Sequence, residues 1–237
     1  MIVSTKAIVI SALKYQERSL IVKCYTESDG LKTYFIPNAF TGAKNKTKAA
    51  YFQSFTLLDV EAMHKNKGTL EHLKEIKVSY PFQTLHTDII KTSVVFFLSE
   101  VLLHAIKEDG RNPAFFEFVE TSIRWLDTHD HIADFHLFFL LRASRYLGFF
   151  PAKPEPGKAY FEMVEGLFSS SMGLTCLSLE ESLLLSRLIQ HQQYASETQF
   201  KNVERQQLTE ILLDYYALHI EGFKKPKSLE VLKTLFR

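Results

Sequence analysis

Apolar residues change their period once along this chain. Up to Tyr80 they alternate with polar ones, and beyond Pro81 they recur at three- and four-residue spacing. A period of two belongs to strands and one near 3.6 to helices. The chain therefore reads as α+β, with a β domain at 1–80 and a helical domain at 81–237. Thr5–Thr26, TKAIVISALKYQERSLIVKCYT, holds two alternating runs, and a third, LKTYFIP, spans Leu31–Pro37 after Ser28-Asp29-Gly30. Tyr51–His64 and Leu70–Tyr80 give two more, joined by the turn sequence Lys65-Asn66-Lys67-Gly68. Five strands in this length match a small five-stranded OB-type barrel. The alternative is a small antiparallel sheet packed on the next helix.

Alternation also sorts the side chains. Leu20, Val22 and Cys24 share one face of the second strand, and Ile21, Lys23 and Tyr25 the other. On the third strand Leu31, Thr33 and Phe35 oppose Lys32, Tyr34 and Ile36. The expectation is one apolar face and one exposed face carrying Lys23, Tyr25, Lys32 and Tyr34. Cations interleaved with aromatics suit single-stranded nucleic acid, lysines pairing with phosphates and rings stacking on bases. An ordinary solvated strand face carries the same residue types. Charge favours the first reading. Residues 1–80 hold twelve Lys and Arg against seven Asp and Glu, whereas the remainder holds 16 against 20. The near-neutral total hides a basic first domain, to which polyanion binding is assigned. Lys44, Lys46 and Lys48 lie together in Asn38–Ala50, read as a flexible basic loop. With Lys65 and Lys67 of the turn, they complete the expected DNA-binding set.

Past Pro81, helical periodicity predicts helices over Asp88–Lys107, from Asn112-Pro113 to about Asp127, and over Phe135–Leu147 before Gly148. The third is apolar nearly all round, as a helix buried in a bundle is. Phe149–Thr175, with three prolines and three glycines, reads as an irregular insert. The capping box Ser178-Leu179-Glu180-Glu181 opens a fourth helix, Asn202–Glu221 is a fifth, and a short one starts near Ser228. No run is apolar enough to span a membrane, and MIVSTK does not open a secretory leader. Cys24 and Cys176 form neither a disulfide framework nor a metal-ligand spacing, which fits a reducing cytoplasm. Asp127–His136, DTHDHIADFH, is the one metal-binding candidate, the basis of a hydrolase reading. Its spacing matches no helical ligand pair, and a polar helix connector is the alternative. No nucleophile elbow, phosphate-binding loop or dinucleotide fingerprint occurs. No enzyme activity, cofactor or resident metal is expected.

Several segments together resemble the RecO family of bacterial DNA repair proteins, which are recombination mediators. They are AIVISALKYQERSLIVKCYTESDGLKTYFIPNAF, the lysine loop with Phe52-Gln53-Ser54-Phe55, Tyr146-Leu147-Gly148-Phe149 with Pro151, and YYALHIEGFKKPKSLEVLKTLF. They run in order from end to end. The resemblance implies an N-terminal OB-fold and a C-terminal helical domain. It implies binding of single- and double-stranded DNA, strand annealing, and loading of the RecA recombinase onto coated single strands. The implied partners are RecR and the acidic, apolar C-terminal tail of single-stranded DNA-binding protein. Such a tail needs an apolar pocket with a cation at hand, and Arg142 and Arg145 on the third helix are the candidates. One departure is plain. Many members carry a four-cysteine zinc module in the insert, where this chain retains only Cys176.

Overall fold

The computed structural model describes residues 2–40, 49–65, 70–107, 110–191 and 199–235. The chain divides into two compact units, Met1–Thr128 and His129–Arg237. The first opens with β1 (Ile2–Tyr15), β2 (Ser19–Thr26), β3 (Gly30–Ile36), β4 (Leu57–Met63) and β5 (His72–Val78). They form one antiparallel sheet in the order β3-β2-β1-β4-β5. β1 is long because it serves two partners. Its first half pairs with β4 and its second with β2, and the register breaks between Val9 and Ser11. A bulge there bends the strand and raises its twist. The sheet's far edges meet at one parallel bridge. Phe35 N–H donates to the Glu71 carbonyl at 3.1 Å, and Glu71 N–H to the Thr33 carbonyl at 2.8 Å. The arrangement is the expected OB type, with a single bridge in place of a continuous closing ladder.

Register decides which side chains enter the barrel. Val22 lies opposite both Ala12 and Tyr34, and Cys24 opposite Val9. Val9, Val22, Cys24, Tyr34, Leu58 and Val60 form its interior. Residues directly opposite in an antiparallel pair point the same way. The other side of β1–β3 therefore carries Ile8 with Tyr25, Ser11 with Lys23 and Thr33, and Leu13 with Ile21 and Phe35. The β2–β3 turn needs Gly30. Its φ is +70°, and a Cβ there would lie 2.7 Å from the Gly110 carbonyl oxygen.

Two helices complete this unit, α1 (Ile89–Ala105) and α2 (Pro113–Thr128). The Asp88 carboxylate caps α1 by accepting from Ile90 and Lys91 N–H at 2.8 and 2.9 Å. Asn112 caps α2 through Phe115 N–H at 3.0 Å, ahead of Pro113. At the other end of α2, Asp127 is 1% exposed. Its carboxylate accepts backbone N–H groups of Gln83, Thr84 and Leu85 at 2.8–3.1 Å. The buried Lys91 ammonium donates to the Asp127 carbonyl at 2.9 Å. Residues 83–85, between the last strand and α1, are thus tied to α2.

The second unit holds α3 (Phe135–Leu147), β6 (Tyr160–Glu162), β7 (Leu167–Ser169), α4 (Leu179–Gln190), α5 (Asn202–His219) and α6 (Leu229–Leu235). α3 buries nine of its residues and ends at Gly148, which takes φ +91°. Ser178 and Glu181 form the expected capping box of α4. Asp134 and Arg205 make a buried ion pair at 2.9 Å. The same carboxylate accepts Gln199 N–H at 2.6 Å, and Arg205 also donates to the Phe200 carbonyl at 2.9 Å. The insert is more ordered than its sequence implies. β6 and β7 form a hairpin anchored by Phe161 and Phe168, whose rings lie 5.1 Å apart.

Two stability predictions follow from these buried charges. Burial opposes ionisation of Asp127, but hydrogen bonds from Thr84, Gln83 and Leu85 outweigh it and hold the carboxyl below its ordinary range. Its contribution is complete above the unfolded carboxylate pKa and is lost as pH falls through the lower folded value. Asp127→Asn should cost about 1–3 kcal/mol at neutral pH and flatten the acid limb of a stability–pH curve, measured by urea unfolding. Asp134→Ala should cost about 3–5 kcal/mol by the same measurement, because it leaves the Arg205 guanidinium buried without its carboxylate.

Candidate nucleic-acid interface

The structure separates the four β2–β3 residues that sequence grouping placed on one exposed face. Lys23 opposes Thr33, and Lys32 opposes Cys24. Lys23 and Tyr25 point out of the barrel, whereas Lys32 and Tyr34 lie on the core side of the register. A one-residue shift in assumed pairing exchanges the faces of a strand. That is the correction here, and the two tyrosines show it most clearly.

Tyr34 is fully buried. Its hydroxyl lies 2.7 Å from His64 Nε2, and His64 Nδ1 lies 3.0 Å from an Asp29 carboxylate oxygen. Burial is the main reason its phenol is held far above its ordinary pKa. The group links β3 to the end of β4 and to the β2–β3 turn. Tyr25, 1% exposed, is covered by α2, where Phe115 and Phe116 lie 5.6 and 6.0 Å from its ring. Its hydroxyl donates to the Asn112 carbonyl at 3.2 Å, and burial pushes its pKa up to about 12. Neither ring has a face open to a base, so both belong to packing.

The lysines differ from one another. Lys23 is half-buried on the outward face, Lys32 is half-buried, and Lys65 is exposed just past β4. The Lys65 backbone N–H donates to the Glu71 carboxylate at 2.9 and 3.0 Å, which leaves its ammonium outside that bond. Lys44, Lys46, Lys48 and Lys67 lie outside the described residues. Sequence grouping missed what stands in place of the tyrosines. Leu13 is 66% exposed and Tyr15 43%, and Phe35 packs edge-on to Tyr15 with centroids 6.1 Å apart. Alternation alone groups Phe35 with the core face, and the pairing of Phe35 with Ile21 turns it outward. The length of the turn before Gly30 sets the register and was the signal that could have found it.

In the second unit Arg142 is half-buried and Arg145 exposed. The Arg145 guanidinium lies 4.2 Å from the centre of the Phe150 ring, a cation–π contact. A pocket enclosing about 230 Å³, partly open to solvent, lies elsewhere in the unit, lined by His136, Arg205, Gln206, Thr209, Leu229, Leu232 and Lys233. His136 and Lys233 are engaged. His136 Nε2 lies 3.1 Å from the Thr209 hydroxyl, and Lys233 pairs with Glu210 at 2.6 Å. Burial, reinforced by Arg205, pushes the His136 pKa down to about 3.

The Asp127–His136 segment is dispersed. Asp127 and Asp134 bind backbone and Arg205 as described, His136 is buried, and His129, Asp130 and His131 are exposed. Among the described residues no three His, Cys, Asp or Glu side chains are placed to hold a metal ion. The hydrolase reading loses its site. The insert does not suit zinc either: Cys176, half-buried, is its one thiol, and aromatic packing orders the hairpin instead. Among the described residues no helix is long and apolar enough to cross a membrane.

Comparison with known proteins agrees across the whole chain. The family model for the N-terminal part of recombination protein O matches residues 1–82, and that for its C-terminal part matches residues 86–230. The DNA repair protein RecO of Flavobacterium psychrophilum is 53% identical over 235 residues, covering 99% of each chain. That of Flavobacterium johnsoniae is 52% identical, again over 99% of each. That of Phocaeicola vulgatus is 36% identical over the full length of both. An OB-type barrel followed by helices, matched from end to end by both halves of one family, leads to a single conclusion: this chain belongs to the RecO family of DNA repair proteins.

Proposed function

We infer that the chain binds single- and double-stranded DNA, anneals complementary strands and helps load the RecA recombinase onto strands coated by single-stranded DNA-binding protein. RecR and the C-terminal tail of the coating protein are the partners in this reading. The observation that carries it is an OB-type barrel, in a RecO-family chain, whose residues 11–36 hold Lys14, Arg18, Lys23 and Lys32 against Glu17, Glu27 and Asp29. Lys14 and Arg18 lie at the β1–β2 end of β2 with Glu17, away from Glu27 and Asp29 in the β2–β3 turn. Lys23, Lys32, Lys65 and Lys67 act with Lys44, Lys46 and Lys48 as phosphate contacts. No step needs a cofactor or a catalytic residue. Two free cysteines, one fully buried, support a cytoplasmic location.

A second reading, a non-enzymatic adaptor whose barrel binds protein, draws on the exposed Leu13 and Tyr15. Salt separates the two. Binding through phosphates weakens steeply as salt rises, by about 0.7 in log–log slope per contact on single strands. Replacing Lys44, Lys46 and Lys48 by Ala together should lower the slope by about 2, read by fluorescence anisotropy of a labelled single strand. An unchanged slope and affinity would remove these lysines from the interface, and salt-insensitive binding would favour the adaptor.

For the tail, Arg145 already holds its charge over an apolar ring, the pairing that an acidic peptide with an apolar terminus requires. A labelled tail peptide should bind Arg142→Ala or Arg145→Ala about tenfold more weakly than the parent protein, as loss of a charge-assisted hydrogen bond dictates. Equal affinity for all three proteins would sink this assignment.

A further inference from the structure

The outward side of β1–β3 is covered at one end and open at the other. Ile8 and Tyr25 lie beneath helices, with 0% and 1% exposure. Two rows further on, Leu13, Ile21 and Phe35 line up across three strands. Leu13 is 66% exposed, Ile21 and Phe35 are half-buried, and Tyr15 stands against the Phe35 edge. Between the covered and open rows lie Ser11, Lys23 and Thr33. Beyond Tyr15, Arg18 is exposed in the β1–β2 turn beside Glu17. The open row is thus flanked by a cation on each side. It holds two aromatic rings at right angles and no acidic side chain.

We propose that Tyr15 and Phe35, floored by Leu13 and Ile21, form a base-stacking platform for single-stranded nucleic acid, with Lys23 and Arg18 meeting the phosphates on either side. The proposal rests on the DNA-binding reading above and deepens it. An aromatic ring between lysine and arginine suits an alternating chain of bases and phosphates better than a wholly apolar partner does. Every base has a π-face, so the platform accepts single strands of any sequence. A duplex keeps its bases stacked inside and offers it only phosphates.

The test compares a thymidine homopolymer with an abasic strand of equal length, which keeps the phosphates and lacks the bases. The parent protein should prefer the thymidine strand, and Tyr15→Ser combined with Phe35→Ser should reduce that preference about tenfold or more. Because Phe35 is half-buried, Tyr15→Trp supplies an independent reading in an otherwise intact protein. The chain has a single tryptophan, Trp125, so the parent protein gives the background emission. The new indole should be quenched by the thymidine strand and not by the abasic one. A double variant that keeps the parent preference, or an indole that responds equally to both strands, overturns the platform. Should the parent protein bind neither strand, the DNA-binding reading itself fails. Should Tyr15→Ser disperse a self-associated parent protein while the strand preference stays unchanged, the row is an interface between copies and the platform is wrong.

Discussion

Lys23 pairs with Thr33, and that single register assignment distributes every side chain of the β2–β3 hairpin. It sends Val22, Cys24 and Tyr34 inward together. It turns Tyr25 toward α2 and leaves Ile21 and Phe35 facing away from the core. A slip by one residue would bury Lys23 among Val9, Leu58 and Val60 and place Val22 in water. Burying an ammonium without a partner costs far more than the hairpin's own hydrogen bonds return. The register is therefore held by the core, by the tight turn at Gly30 and by the Tyr34–His64–Asp29 contact at its edge.

Buried charge is used differently in the two compact units. In the first, the Asp127 carboxylate accepts backbone N–H groups of residues 83–85 and the Thr84 hydroxyl, while Lys91 donates to the carbonyl of the same residue. These bonds fix a loop to a helix end. In the second, Asp134 and Arg205 meet directly, and each also binds backbone near Phe200. Replacing both by apolar residues could preserve stability, whereas removing one cannot. These aspartates belong to the stretch whose spacing raised a metal-binding question. Their partners account for two of the polar residues that crowd there.

Much of the architecture was legible because its signals are local. Asn112-Pro113, Gly148 and the Ser178–Glu181 box each act within a few residues, and each marks a helix end where expected. The β-to-α change of period was equally readable. The β6–β7 hairpin was not, because strands of three residues are too short for alternation to show. The candidate interface was half-legible. Its basic character follows from composition alone. Its aromatic part does not, since Tyr25, Tyr34, Tyr15 and Phe35 all lie in alternating runs, and only strand pairing tells an inward ring from an outward one. Tyr25 adds a further obstacle. It does face outward, but a helix nearly ninety residues later covers it.

The double role of β1 has a dynamic consequence. Ala7 and Ile8 are paired on both sides at once, with Thr26 and Tyr25 of β2 and with Leu58 and Leu57 of β4. Lys6 and Val9 extend this two-sided bonding through Glu27 N–H and through Thr56 and Phe55, whereas Ser11–Tyr15 pair with β2. Fraying of either ladder therefore leaves the midpoint of β1 held by the other. Slow amide exchange is the expected outcome for these residues. The tip of the same strand, beyond the bulge and bearing Leu13 and Tyr15, hangs on a single ladder. One strand thus joins a doubly held part of the barrel to a more compliant tip, which can adjust to what binds without loosening the fold behind it.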